Sequence, residues 1–306
     1  EGEFPMLELI DRMEKGEDYT AVSNLGFRKN GTIQLNPLRP LIDADTLDAF
    51  PFADREGFDF GEIIKKKQGW ANIMASRGCL NKCSYCVNHY YHTLYSPTNK
   101  TVESLRYRKV NTVIREAEEL LNKYPDIQLL NFDDDNIVLN KKWLEEFLDI
   151  YPDKIGLPFA CNIHPAKFDK DIARRLRKAN CVEVKIGIES GSERLRRDVL
   201  RRPSREEVMV NAFLTAEEAG LRAWSFNMIG IPTETRDEML MTARLNAKVR
   251  PYIVRCSIFF PYDGTELYQY AKDHDLIDDE ISQKVSSHLE DSVLTMTQLP
   301  RDEIVR

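Results

Sequence analysis

The sequence predicts an α/β protein built on a parallel β-sheet, with an N-terminal arm and a C-terminal extension. Between residues 70 and 275, six strand-like segments alternate with helix-like segments. Such alternation demands parallel pairing and right-handed crossovers. The unusual polar residues fall just after the strands, where parallel α/β architectures bind ligands. The length of 306 residues, 42% hydrophobic and 30% charged, suffices for one large domain with extensions. Eight strand–helix units would close a barrel, whereas six leave a curved sheet with a gap. Periodicity alone does not separate that arrangement from a doubly wound sheet.

Residues 1–69 read as a linking segment. Leu7 to Met13 suits a short helix. Lys29-Asn30-Gly31 lies between the runs Ala21–Arg28 and Thr32–Leu35, and Asn-Gly between two such runs signals a hairpin. A proline-bearing crossing runs from Asn36-Pro37 to Pro51-Phe52.

The first sheet strand is expected at Ile73–Ser76, with a helix at Asn111–Tyr124 whose Val113, Ala117, Leu120 and Tyr124 share a face. Ile127–Phe132 reads as strand two, and Lys141–Tyr151 as its helix, with Asn140 as N-cap. Strand three is expected at Ile155–Cys161 and its helix at Asp169–Asn180. Strand four is placed at Val182–Ile188. Helical stretches follow at Glu193–Leu200 and Ser204–Gly220, where Gly220 is a C′ stop. Strand five is Arg222–Ile229, with a helix from Thr235 to Lys248. Strand six is Tyr252–Phe260, with a helix from Gly264 to Lys272. Residues 276–306 form the extension, with a helix start at Pro300–Ile304. The chain starts at Glu1 without methionine and stops inside that helix start, so both ends are expected to continue in a longer protein.

No run of 18 apolar residues is present, so no spanning helix is expected. The net charge of −7 argues against a general nucleic-acid surface. Three of the 6 cysteines cluster, while Cys161, Cys181 and Cys256 sit singly in apolar stretches as small buried residues. Thiols kept free for a metal imply a reducing compartment, the cytoplasm.

The clustered three are the chemical signal. Cys79, Cys83 and Cys86 follow a C-x3-C-x2-C spacing, a soft-metal ligand set. A structural zinc site, or a cluster that only relays electrons, is held by four ligands. Three thiolates leave one iron of a [4Fe–4S] cluster open to an outside ligand. A zinc site that borrows His89 or His92 as its fourth ligand is the alternative. Asp133-Asp134-Asp135, His164, Glu189-Ser190, Gly230–Glu234 and Tyr262-Asp263-Gly264 all follow predicted strands, so one rim would collect them. Taken singly, a triple aspartate is more often a solvated loop, Glu-Ser-Gly a helix cap and Gly-x-Pro a turn.

The Cys79–Cys86 stretch resembles the signature loop of radical S-adenosylmethionine (SAM) enzymes, in which the last spacer residue is typically aromatic, here Tyr85. Relatives often carry proline after the first cysteine. Leu80 stands there in this chain, which alters loop stiffness and not ligation. Gly187–Ser192, Asn227–Thr235, Phe260-Pro261-Tyr262-x-Gly264-Thr265 and Pro51–Arg55 also resemble motifs of the subgroup that carries an amino-terminal cobalamin-binding domain.

The resemblance covers nearly the whole chain and implies a partial (β/α)6 TIM-like barrel over 70–275. It implies that Cys79, Cys83 and Cys86 hold a [4Fe–4S] cluster, with SAM chelating the open iron through its amino and carboxylate groups. Tyr85 would lie beside the adenine. Asp134 and Asp135 stand where the family has a glycine- and glutamate-containing motif that contacts the methionine amino group. Glu189 and Ser190 would face the ribose or methionine end, Arg202 would pair with the SAM carboxylate, and Ile229, Gly230 and Ile231 would line the adenine. No residue is assigned to catalysis.

The implied activity is reductive cleavage of SAM to a 5′-deoxyadenosyl radical, used for methylation or rearrangement at an unactivated carbon. Cobalamin would enter as methyl carrier through a domain preceding Glu1. Its docking surface would include Tyr90, Tyr91, Tyr95, His89 and His92, whose plainer role is a packed loop lid. A small-molecule substrate and a reductase, flavodoxin or ferredoxin electron donor complete the expected partners. Two other readings stay open here. One is an RNA-methylthiolating relative, against which the acidic charge argues, and the other is a zinc-stabilised interaction module.

Overall fold

The computed structural model describes residues 1–96, 104–285, 289 and 291–305. The arm opens with α1 (Glu3–Lys15), longer at both ends than the apolar spacing suggested. The hairpin β1 (Gly26–Lys29) and β2 (Thr32–Leu35) follows. Its turn residues Asn30 and Gly31 both have positive φ, 50° and 80°, as a type I′ turn requires. Helices α2 (Ala44–Ala49) and α3 (Phe60–Lys66) are N-capped by Asp43 and Asp59 and lead into the main sheet.

The first sheet strand is β3 (Trp70–Ile73), which starts and ends earlier than expected. Ser76–Arg77 leaves the sheet as β4 and pairs antiparallel with β5 (Arg106–Tyr107). Between them the cysteine loop runs into α4 (Val87–Tyr95), a helix that the sequence reading lacks. The alternation then continues through α5 (Val110–Lys123), β6 (Leu129–Phe132), α6 (Lys141–Lys154) and β7 (Phe159–Ile163). Asn140 caps α6 by accepting the Trp143 N–H. β7 sits downstream of the expected Ile155–Cys161, because α6 runs on past Tyr151 and includes Pro152.

Next come α7 (Lys170–Lys178), β8 (Cys181–Glu189), a π-helical turn at Leu195–Val199, α8 (Glu206–Glu218) and β9 (Arg222–Ile229). Gly220 ends α8 with φ 72°. Thr235 and Glu238 form a capping box on α9 (Arg236–Val249). β10 (Ile253–Ile258), α10 (Glu266–Asp273), α11 (Asp279–Ser282) and α12 (Arg301–Val305) complete the chain.

The 6-stranded sheet has the order β10-β9-β8-β7-β6-β3, every described pair parallel. Each strand lies beside its predecessor with no reversal of order, whereas a doubly wound sheet reverses at a switch point. Helices α5 to α8 pack on one face, where Phe132, Phe147, Tyr151, Phe159, Ile186 and Leu176 are fully buried. The other face is concave. Trp70 on β3 and Trp224 on β9 meet with ring centroids 5.9 Å apart. In a flat sheet, four strand spacings would hold them about 19 Å apart. The sheet is therefore a curled half-barrel, and the two indoles close its floor.

A second core is built from Leu195, Leu200, Ile231, Phe259, Leu267, Val293, Leu294, Leu299 and Ile304. It seats the last residues of the chain against the carboxyl ends of β9 and β10. Cys161 and Cys181 are buried as expected, but Cys256 is exposed. It lies on β10, the edge strand, whose neighbours Val254 and Arg255 are exposed as well.

Candidate functional site

The carboxyl ends of the strands carry the site. Gly78 opens the cysteine loop with φ 89°, and a Cβ there would run into the Ser104 carbonyl, so only glycine fits. Asn81 donates its backbone N–H and its amide to Cys79 Sγ at 3.5 and 3.4 Å. His92 Nε2 lies 2.7 Å from the Cys79 carbonyl. Ser84 donates its N–H to Leu200 O at 3.1 Å, while its carbonyl accepts the Leu267 N–H at 3.0 Å. The loop is thus tied at its start to α4, and at its end to the turn after β8 and to α10.

Cys79, Cys83 and Cys86 line one cavity of about 90 Å³, together with Tyr85, Asn88, Asp135, Asn136, His164 and Arg202. All three thiols are free. Burial pushes the Cys83 thiol up, opposed by the nearby Arg202 guanidinium, whose Nη1 lies 4.0 Å from Sγ. Burial also raises Cys86. These are soft ligands that lose their protons when a metal arrives.

Arg202 and Glu189 make the polar wall. β8 shifts register between Gly187 and Glu189, and Glu189 has φ 63°, an uncommon conformation for a non-glycine residue. That twist turns the carboxylate toward Arg202, with Nε–Oε1 at 3.7 Å. A Cβ at Gly187 would collide with the Glu189 carboxylate and the Arg202 guanidinium, so the glycine makes room for the pair. Burial pushes the Glu189 carboxyl up, while Arg202 and the Tyr85 hydroxyl hold it down. Tyr85, half-buried beside Glu189, is pushed well above its ordinary value by burial of its ring, so its hydroxyl stays a donor.

His164 Nδ1 accepts the Ala166 N–H at 3.2 Å. Burial first, then Arg202, depress its pKa to about 3. The neutral ring therefore carries its proton on Nε2, a fixed donor in the cysteine cavity.

Other expected residues lie elsewhere. Asp134 is fully buried, and its carboxylate accepts the Ala75 N–H, at 3.1 Å to each oxygen, and the Ser76 hydroxyl. Burial raises its pKa to about 6. It latches β6 to the start of the cysteine loop, and its neighbour Asp135 faces the cavity. Ser190 is also fully buried. Its Oγ accepts the Ser192 N–H at 3.1 Å, and its carbonyl accepts from the buried Arg196 at 2.7 Å. Ile229 and Gly230 lie outside the cysteine cavity, where a side chain at Gly230 would press on Ile304. Ile231 is buried in the second core.

Of the aromatic residues after the cluster, Tyr95 is buried and Tyr91 is exposed. Tyr91, His92 and Tyr95 line a cavity of about 360 Å³ that reaches Asp135 and Met74. His89 Nε2 lies 3.1 Å from Glu266. His164, expected on the rim after the third strand, lines the cavity. Asn81 is legible as a polar spacer between two cysteines, whereas Asn88 and Asn136 carry no sequence signal and reach the cavity only through folding.

Glu234, fully buried after β9, shows how costly this rim is to charge. Only Oε2 has a partner, the Ile231 N–H at 3.1 Å, and burial pushes the carboxyl from 4.5 up to about 7. A raised native pKa gives stability that is complete below pH 4.5 and lost as pH rises through about 7. Glu234→Gln is therefore expected to flatten the decline in thermal stability between pH 5 and 8. It should gain about 2 kcal/mol at pH 8 relative to the parent. An unchanged pH profile in differential scanning calorimetry would count against the buried acid.

Fold and site together define an enzyme with a half-barrel, in which three free thiols and Arg202 face one cavity at the strand ends, with Glu189 paired behind the arginine. The chain belongs to the Radical SAM superfamily, whose family model matches residues 73–245. That family works with a [4Fe–4S] cluster and SAM. Among the described residues, no three His, Cys, Asp or Glu side chains are arranged to hold a single metal ion. Both candidate zinc histidines are engaged elsewhere, His89 with Glu266 and His92 with the Cys79 carbonyl. Three thiols spread around a cavity fit a multi-iron cluster better than one zinc.

An uncharacterized methyltransferase of Pyrococcus horikoshii is 28% identical over 278 residues, 90% of this chain and 58% of that protein. An anaerobic magnesium-protoporphyrin IX monomethyl ester cyclase of Cereibacter sphaeroides is 23% identical over 293 residues, 89% of this chain and 44% of that protein. The chain thus spans about half the length of these curated relatives. Among solved structures, the radical SAM methyltransferase TsrM of Kitasatospora setae, with cobalamin and a [4Fe–4S] cluster bound, superposes with TM-score 0.71. The match has 17% identity and covers 89% of this chain and 53% of that one. No helix among the described residues is long and apolar enough to cross a membrane.

Proposed function

We propose that this chain is the SAM-cleaving half-barrel of a cobalamin-dependent radical SAM enzyme that methylates an unactivated carbon of a small molecule. The observation that carries the reading is the single cavity shared by Cys79, Cys83, Cys86 and Arg202, with Glu189 paired behind it. When bound, the cluster and SAM supply a one-electron cleavage that yields methionine and a 5′-deoxyadenosyl radical.

The chain's own residues do the positioning. Cys79, Cys83 and Cys86 ligate the cluster. Arg202 takes the SAM carboxylate in a charge-assisted contact, and Asp135 takes its ammonium. Glu189, held by Tyr85 and Arg202, faces the ribose or methionine end. Ile229 and Gly230 border the adenine. Asp134 and Ser190 act one step back, Asp134 by fixing the start of the loop and Ser190 by fixing the Glu189 turn.

The methyltransferase name of one relative and the corrin bound by TsrM support methyl transfer with cobalamin over ring formation. We assign the corrin to a separate unit of the whole protein, docked over the cavity that Tyr91 and His92 border. A reductase, flavodoxin or ferredoxin supplies the electron, in the reducing cytoplasm where three thiols stay free.

Anaerobically reconstituted protein given dithionite and SAM is expected to release 5′-deoxyadenosine, slowly even without substrate. The whole protein is expected to bind hydroxocobalamin stoichiometrically. A fully loaded cluster whose electron paramagnetic resonance signal does not respond to SAM would overturn the reading. Absence of hydroxocobalamin binding by the whole protein would remove cobalamin and leave a radical SAM enzyme of another reaction.

A further inference from the structure

The concave face of the sheet carries charges that balance in pairs, with one exception. In the parallel registers, Asn72 pairs with Asn131, Asn162 with Lys185, Lys185 with Trp224, and Phe226 with both Gly187 and Arg255. Side chains of paired positions share a face of the sheet. Near the floor, Arg222 meets Glu183 at 2.7 Å. Lys185 is buried between the Trp70 and Trp224 rings, at 5.6 and 5.7 Å, and donates to Asn131 Oδ1 at 2.6 Å. Asn131 and Asn72 in turn donate to the Asp133 carboxylate at 2.8 and 2.6 Å, so Asp133 balances the lysine through one amide. At the upper end Arg202 is paired with Glu189.

Arg255 differs. It is exposed, its guanidinium lies over the Trp224 ring at 5.5 Å, and it has no carboxylate partner among the described residues. Its register neighbour Phe226 is 36% exposed, a large ring left uncovered. Gly187, the next position in that row, contributes no side chain, and the Arg202–Glu189 pair fills the space its Cβ would take, so that pair closes the upper end of the row.

We propose that the lumen binds a substrate with a planar apolar body and one anionic group, the body against Phe226 and Trp224 and the anion on Arg255. This rests on the reading of the half-barrel as a SAM enzyme whose substrate lies beneath SAM. The preference is electrostatic. A carboxylate or phosphate entering the lumen finds one guanidinium without a counter-charge among the described residues, held over an aromatic face and able to make a bidentate contact. A cation finds only Asp133, which already accepts two amide hydrogens and offsets Lys185. The anion at the β10 edge would also fix how far the body reaches toward the Arg202–Glu189 end, and so which carbon is presented.

The test uses the reconstituted whole protein and three probes with the same phenylalkyl body: 3-phenylpropionate, its isosteric amide 3-phenylpropanamide, and the cation 3-phenylpropylamine. Binding is followed by ligand-observed NMR titration. The carboxylate is expected to bind about tenfold more tightly than the amide or the amine, the worth of one charge-assisted contact. Arg255→Gln should erase that preference and Arg255→Lys should keep part of it, both with parental iron content. Phe226→Ala should weaken all three probes and leave their order unchanged.

Equal binding of the three probes, a carboxylate preference that survives Arg255→Gln, or no binding of any probe at millimolar concentration would overturn the proposal. Arg255 would then be an edge-strand charge that merely guards β10. The outcomes separate from those of the broader reading. Failure of the probes with SAM cleavage intact sinks only the substrate class. Arg255-dependent binding in a protein that never cleaves SAM sinks the reaction and keeps the anion site.

Discussion

Cys83→Ala is expected to empty the cluster site. The parent, reconstituted without oxygen, should hold about four irons and as many sulfides per chain and show a brown chromophore. The variant should retain less than about one iron and release no 5′-deoxyadenosine. Cys83 is the most telling of the three ligands. It is only 4% exposed, it sits beside Arg202, and the chain just after it is bound to the turn after β8 and to α10. Asp135 and His164 share the cavity, but neither is a thiolate, the ligand such a cluster takes. Iron, sulfide and visible absorption measure the effect, with far-ultraviolet circular dichroism to show that the half-barrel stays folded. One zinc per chain and no sulfide in the parent would sink the assignment.

Arg202→Met is expected to weaken SAM binding by about a hundredfold, roughly 3 kcal/mol, while iron content stays at the parental level. Two effects add. The ligand carboxylate loses its cation, and Glu189 is left buried without its counter-charge. Among the described residues Glu189 has the Tyr85 hydroxyl besides, so its carboxyl would protonate or draw in water. The double-mutant cycle with Glu189→Gln makes the argument sharper. Removing the glutamate should cost clearly less in the Arg202→Met background than in the parent, because the pair is already broken. Titrating SAM against the cluster's electron paramagnetic resonance signal gives the affinities. Strictly additive effects would show that the two residues act apart, and an unchanged dissociation constant would remove Arg202 from the SAM site.

Much of this molecule was legible in its sequence. Strand β9 runs from Arg222 to Ile229 as expected, and Gly220, Asn140, Asn30-Gly31 and Thr235 mark element ends as expected. Each is a local signal, since caps and turns depend on residues within a turn of one another. The cysteine spacing was equally local, because three thiols within eight residues share one loop, and the fold of that loop brings them to one cavity.

What the sequence misplaced was set by longer contacts. Ile155–Cys161 looks like a strand, yet α6 packs Tyr151 under the sheet and carries on past it, so β7 starts at Phe159. Cys256 sits in an apolar run and reads as core, yet β10 is the open edge and the residue is exposed.

The aspartates make the same point at the site. Asp133, Asp134 and Asp135 are equivalent in sequence, but the pleat and the strand end send them three ways. Asp133 turns into the lumen, Asp134 against the Ala75 and Ser76 backbone, and Asp135 to the cysteines. The sequence by itself determined the strand–helix alternation, the cysteine grouping and the rim on which the polar residues gather, because those follow from period, spacing and strand direction. Only the tertiary structure decided that the sheet curls until Trp70 meets Trp224, that Glu189 is twisted onto Arg202, and that Arg255 lies over Trp224 with no carboxylate partner among the described residues. Those three depend on side chains far apart in the chain, and their meeting is a consequence of curvature and register rather than of any local preference.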